Sequence, residues 1–342
     1  MNKVYSPIDV LVTLPFPPDL ITKLQEVSPN LRITVHPAKK VDDIPKDLWA
    51  HTQVLYTNST IPDPELAPEI KWIQLHWAGI ESLLDAPLLS KPGVKVTTLS
   101  GAAASQMAEH ALTMLLALAR RLPTFAALQE KSKWPDNRWE KYSPRELRTC
   151  TVGIVGYGSI GRQIARLMRE FGTTVLATKR DVLRPADTGY TPEGLGDPDG
   201  NLVHRLYPPQ ALKTMVKDCD FVVVTVPLTG DTRNLIDAEV LGAMKPSAYL
   251  IDISRGDVVD LNALGNALLE KKLAGAALDV FPEEPLPKDS FAWKLPNTII
   301  TPHIAGISNH YDERATALFA ENLSRFIADL PLYNLFDWEK GY

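Results

Sequence analysis

Near the middle of the chain, Thr151 to Arg180 reads TVGIVGYGSIGRQIARLMREFGTTVLATKR. An apolar run (Val152, Ile154, Val155) leads into Gly156, Gly158 and Gly161, spaced G-x-G-x-x-G. Ile160, Ile164, Leu167, Met168 and Phe171 then recur at helical spacing, and a second apolar run covers 173–178. Strand, glycine turn, helix and strand in that order make a βαβ unit, whose helix must cross over to a parallel neighbour. Each glycine has its own reason. Gly156 permits the tight turn, Gly158 allows a ligand's pyrophosphate to approach the backbone, and Gly161 lets the helix pack close on the strand. The helix N-terminus offers N–H groups and partial positive charge to phosphate.

The expected ligand is therefore a dinucleotide, met by Gly156, Gly158, Ser159, Ile160 and Gly161. Sites for NAD place an acid about 20 residues on, where it bonds the ribose 2′-OH. Here the second strand ends on Lys179-Arg180. Two cations would bind a 2′-phosphate that a carboxylate would repel, so NADP(H) is preferred over NAD(H). The competing reading makes these solvated surface charges and gives the acid's work to Asp181.

A chain of 342 residues suggests two domains. Before the glycine unit, strand candidates at 9–14, 31–36, 53–57 and 71–76 alternate with a helix at 18–27. A long helix, 102–122, is apolar on nearly every face and should be buried. After the unit come strands at 221–226, 248–253, 274–280 and 297–301, then a helix at 312–330. Residues 182–209, rich in Pro, Gly and Asp, read as a surface excursion. The class is α/β, with short parallel strands and crossover helices throughout.

The formal charge of -5 argues against nucleic acid or an anionic membrane as the partner. Cys150 and Cys219 are the only cysteines, too few for a disulfide framework or a cysteine-based zinc site. His36, His51, His76, His110, His204 and His310 lack metal-ligand spacing, so no metal is expected. The first residues lack the order of a signal peptide, and ALTMLLALA (111–119) is too short to span a bilayer. A cytoplasmic enzyme is expected.

Four further stretches carry a resemblance: AEHALTMLLALAR (108–120), VPLTGDTRNLIDAEVLGAMKPSAYLIDISRG (226–256), AGAALDVFPEEPLP (274–287) and TPHIAG (301–306). With the glycine turn, in this order, they resemble the D-isomer-specific 2-hydroxyacid dehydrogenases. The resemblance implies catalysis by Arg255, Glu284 and His303. The chemistry agrees. A guanidinium forks onto the substrate carboxylate and carbonyl, an imidazole delivers a proton to the new alkoxide, and a carboxylate fixes that imidazole. It also implies cofactor contacts at Pro227, Thr232 and Asp279. The loop HWAGIE (76–81) would bind substrate through backbone N–H groups around Ala78 and Gly79, beside Arg255 and His303. Asp252 stands where the family often has Asn.

The resemblance further implies two Rossmann-like domains, one flavodoxin-like for substrate (1–103 and 304–342) and one for the dinucleotide (104–303), meeting at a cleft. It makes 104–145 the contact of a homodimer, with Trp134 or Trp139, or Trp77, as pocket walls. The partner is then a small 2-keto or 2-hydroxy acid, glyoxylate or hydroxypyruvate first, and phosphoglycerate is disfavoured for want of a basic cluster. The alternative is an NAD(P)H-sensing, corepressor-like binding protein on the same scaffold.

Overall fold

The computed structural model describes residues 7–341, so the reading of the first six residues as no signal peptide lies outside it. The chain divides into two compact units, Met1–Ala103 with Ser308–Tyr342, and Ala104–Ile307.

The first unit carries β1 (Ile8–Val12), β2 (Leu31–Val35), β3 (Val54–Thr57), β4 (Trp72–Leu75) and β5 (Lys95–Thr97). Their order is β2-β1-β3-β4-β5, every pair parallel. This is the flavodoxin-like order. Alternation along each strand sends Val10, Val12 and Tyr56 into one core cluster, with Trp72, Phe319 and Leu323. Leu11, Leu55 and Ile73 enter another, with Trp49. Phe319 and Leu323 come from the helix Tyr311–Ile327, which returns the end of the chain to this sheet.

The second unit carries β6 (Thr151–Val155), β7 (Thr174–Thr178), β8 (Arg205–Tyr207), β9 (Phe221–Val224), β10 (Tyr249–Asp252), β11 (Gly275–Leu278) and β12 (Thr298–Ile300). The order is β12-β11-β10-β9-β6-β7-β8, again all parallel. Winding runs outward from β6 through β7 to β8, then resumes at β9 on the other side of β6. The switch point of this Rossmann sheet therefore lies between β6 and β9, where such folds bind ligands beyond the strand ends.

Three local expectations need correction. The end of the 182–209 excursion is not loop: Arg205–Tyr207 is the edge strand β8, paired with β7. The helix expected over 102–122 runs Ala104–Ala119 and breaks at Arg121, whose φ of 57° is left-handed; a second helix follows at Leu122–Glu130. Phe171, placed on one helical face with Ile160, Ile164, Leu167 and Met168, lies just past the last turn and is 40% exposed. Among the described residues, no single helix is long and apolar enough to cross a membrane. Only the bent pair Ala104–Ala119 and Leu122–Glu130 reaches that length and composition, and the first of the two packs into the second unit's core.

Candidate active site

The glycine turn is tied to the strands around it. The Gly156 N–H donates to Thr178 Oγ1 (3.0 Å), the Tyr157 N–H to the Thr178 carbonyl (2.8 Å), and Thr225 Oγ1 to the Gly156 carbonyl (2.8 Å). Gly156 has φ 104°, which disfavours a side chain. At Gly161 an added Cβ would lie 2.3 Å from the Gly156 carbonyl oxygen, so helix and turn touch there as the spacing requires. A Cβ at Gly158 would meet nothing within 4 Å. Open space at Gly158 and the helix start at Ser159-Ile160 together fit a bound pyrophosphate. Lys179 and Arg180 directly follow β7, and the Lys179 N–H donates to the Tyr207 carbonyl at 2.9 Å. Pro227 and Thr232 sit in the loop after β9, where Thr232 Oγ1 donates to the Pro227 carbonyl at 2.6 Å.

Arg255, Glu284 and His303 follow the C-terminal ends of β10, β11 and β12, three adjacent parallel strands. All three therefore lie at the sheet edge that carries the glycine turn. His303 Nδ1 meets Glu284 Oε2 at 2.6 Å, and the Phe281 N–H holds Glu284 Oε1 at 2.9 Å. Arg255 is half-buried and donates to the Ser254 carbonyl at 2.8 Å. Its neighbour Gly256 packs so tightly that a Cβ there would sit 1.9 Å from the Phe281 carbonyl carbon. The Arg255 turn thus touches the segment that leads to Glu284.

Asp279, one of the expected cofactor contacts, is 1% exposed, and its carboxylate faces the His303 loop. Oδ1 accepts from Thr301 Oγ1 (2.5 Å) and the Ile304 N–H (2.9 Å), and Oδ2 accepts from the Ala305 N–H (2.9 Å). The Asp279 carbonyl accepts the His303 N–H at 2.8 Å. These bonds hold His303 at φ 51°, a left-handed conformation uncommon for a residue with a side chain. His110, read as structural, joins them: Nε2 is 3.2 Å from Thr301 Oγ1 and 3.6 Å from Asp279 Oδ1.

Asp252 is 1% exposed, and its Oδ1 accepts both the N–H (3.0 Å) and the Oγ (2.5 Å) of Ser254. Burial pushes its carboxyl up to about 7 against those hydrogen bonds; Asp279 pushes the same way and Arg255 opposes.

In the first unit, Ala78 is exposed and Gly79 half-buried in the turn after β4. That turn is braced from behind. Tyr311 Oη donates to the His76 carbonyl at 2.7 Å, and Tyr311 stacks on Trp77, centroids 5.0 Å apart. His76 Nδ1 meets Tyr56 Oη at 2.8 Å, and burial lowers its imidazole to about 4, so it is neutral near pH 7. Trp134 and Trp139 are 81% and 77% exposed, and the Arg138 guanidinium lies over both rings.

Sequence reading missed Tyr157, Arg162 and Asp197. Arg162 is 1% exposed, although a charged residue on a helix reads as solvent-facing. The only available signal was its place in the first turn after Gly161.

A Rossmann sheet with an open glycine turn, and a carboxylate-braced histidine at the same strand ends, fits an NAD(P)-dependent oxidoreductase. Residues 112–305 match the family model for the D-isomer specific 2-hydroxyacid dehydrogenase NAD binding domain. A glyoxylate reductase from Thermofilum pendens is 34% identical over 261 residues, 76% of this chain and 72% of that protein. Among solved structures, a D-isomer specific 2-hydroxyacid dehydrogenase from Xanthobacter autotrophicus Py2, in complex with NADPH and MES, superposes with a TM-score of 0.78 at 28% identity, covering 97% of this chain and 100% of that one. A D-lactate dehydrogenase from Aquifex aeolicus, complexed with NAD and lactic acid, gives 0.67 at 25% identity, covering 94% and 96%. The chain belongs to the D-isomer-specific 2-hydroxyacid dehydrogenase family.

Proposed function

We propose that the protein is an NADPH-preferring reductase that converts 2-keto acids to D-2-hydroxy acids, with glyoxylate and hydroxypyruvate as the first candidates. The observation that carries this reading is the 2.6 Å contact between His303 Nδ1 and Glu284 Oε2, held at the edge that bears the glycine turn. When bound, the nicotinamide supplies the hydride to the keto carbon. With Nδ1 engaged by Glu284, Nε2 is the ring nitrogen left to give a proton to the developing alkoxide. Glu284 fixes that tautomer and stabilises the charged ring. Arg255 holds the substrate carboxylate and carbonyl in its fork. In the oxidative direction His303 accepts the proton.

Cofactor preference rests on Lys179 and Arg180 at the end of β7, where a 2′-phosphate meets two cations and no carboxylate precedes them. Asp279 acts here mainly as the anchor of the His303 loop. The stretch 104–145 forms the two-fold contact of a homodimer; exposed Leu122, Phe125, Trp134 and Trp139 supply its apolar surface.

The test is a panel of 2-keto acids with NADPH and with NADH on the purified protein. Sustained oxidation of NADPH with at least one small 2-keto acid is expected. Tight NADPH binding with no turnover on any acid would overturn the reading in favour of a nucleotide sensor.

A further inference from the structure

The excursion 182–209 is fastened to the glycine-turn helix by a buried polar network. Arg162 Nη1 donates to the Asp197 carbonyl (2.5 Å) and Nη2 to the Pro185 carbonyl (2.6 Å). Its Nε faces Asp187 Oδ2 at 3.4 Å without hydrogen-bond geometry. The guanidinium lies over the Tyr157 ring, 4.6 Å from its centroid, and Tyr157 Oη donates to Asp197 Oδ2 at 2.5 Å. Gln163 Oε1 accepts the Gly196 N–H, and Arg166 Nε donates to the Gly196 carbonyl, each at 2.7 Å. Asp197, 3% exposed, also accepts the N–H groups of Asn201 and Leu202. So much buried bonding between one helix turn and one loop is more than a passive surface loop requires.

We infer that Arg162 governs selectivity for NADPH over NADH as a positioning residue, by locking in place the excursion that follows Lys179-Arg180 and neutralising Asp187 within it. The inference rests on the reading of Lys179 and Arg180 as the 2′-phosphate site. The Lys179 ammonium is held below its ordinary value by burial and then by Arg162, while Asp181 and Asp187 pull it back. Without Arg162, the Asp187 carboxylate loses the cation 3.4 Å away, in the segment that directly follows Lys179-Arg180. It would repel NADPH while leaving NADH, which has only a ribose hydroxyl there, nearly unaffected.

The experiment measures dissociation constants for NADPH and NADH by titration calorimetry on wild-type protein, Arg162→Met, Asp187→Asn and the double variant. Arg162→Met is expected to weaken NADPH about tenfold or more while NADH changes less than about threefold. Adding Asp187→Asn should recover part of the NADPH loss, and kcat at saturating NADPH should stay near wild type. Equal weakening of both cofactors, or no recovery in the double variant, overturns the inference. Should Arg162→Met fail to fold, Tyr157→Phe replaces it, and an unchanged NADPH-to-NADH ratio there overturns the inference. The joint variant Lys179→Ala/Arg180→Ala separates the two readings. Wild-type protein that binds both cofactors equally, with no change in that variant, refutes the 2′-phosphate site and this inference together. A preference lost in that variant but kept in Arg162→Met refutes this inference alone.

Discussion

His303 occupies a backbone conformation that disfavours any side chain, and four hydrogen bonds to Asp279 or its carbonyl keep it there. Such constraint fits a residue whose aim matters more than its ease of folding. Glu284→Gln keeps the size of the brace but removes its charge. We expect kcat to fall about a hundredfold or more, with NADPH affinity unchanged, since general acid–base contributions are of that order. Steady-state kinetics beside a binding titration would check it. Asp252 makes a prediction of the opposite sign. Its folded value of about 7 lies above the ~3.9 of an unfolded aspartate, so the folded state loses stability as pH rises from about 4 to about 7. Asp252→Asn keeps an oxygen for Ser254 and removes the ionisation. It should stabilise the protein at pH 8 by on the order of 1–3 kcal/mol, and by little at pH 5. Thermal melts at the two pH values decide it; equal gains would mean that the Asp252 carboxyl titrates alike in the folded and unfolded protein.

At the scale of elements, the site is built from segments that follow parallel strands. The turn after β10 carries Arg255, and Gly256 lets it seat against Phe281–Pro282. Gly256→Ala should destabilise the protein by about 2 kcal/mol or more and lower kcat, because the clash is with backbone that cannot step aside. A melt within about 0.5 kcal/mol of wild type would show the turn to be looser than described. Much of this was legible in the sequence. Strands β6 and β9 to β12 are mostly apolar runs, and β6, β10, β11 and β12 are followed by the glycine turn, Arg255, Glu284 and His303 in turn, each with a chemical reason for its place. Strand β5 was missed because in Lys95–Thr97 only Val96 is a marked apolar residue. Strand β8 was missed because three residues within a polar stretch carry no period. The Arg162 network was invisible for another reason. Its partners lie on a loop 23 to 35 residues away, and only the folded chain shows that the arginine faces inward.

For the whole molecule, the two parallel sheets have different tasks. The second unit's sheet collects the glycine turn, Lys179-Arg180 and the Arg255, Glu284 and His303 segments beyond the C-terminal ends of its strands. The first unit carries a turn at 76–81, stiffened by Tyr311 and the His76–Tyr56 pair. If Lys179 and Arg180 hold the 2′-phosphate as proposed, Lys179→Ala/Arg180→Ala should weaken NADPH at least about tenfold and leave NADH within about threefold, as expected for lost charge-assisted bonds to a single phosphate. Equal losses would remove both residues from cofactor selection.

The central claim is that a histidine braced by a carboxylate moves the proton in a hydride transfer to a 2-keto acid. The most direct measurement is kcat for His303→Gln at saturating NADPH and glyoxylate or hydroxypyruvate, with the NADPH dissociation constant taken on the same preparation. The account predicts a fall in kcat of about a hundredfold or more with cofactor affinity within about twofold of wild type. Turnover at the wild-type rate would contradict it.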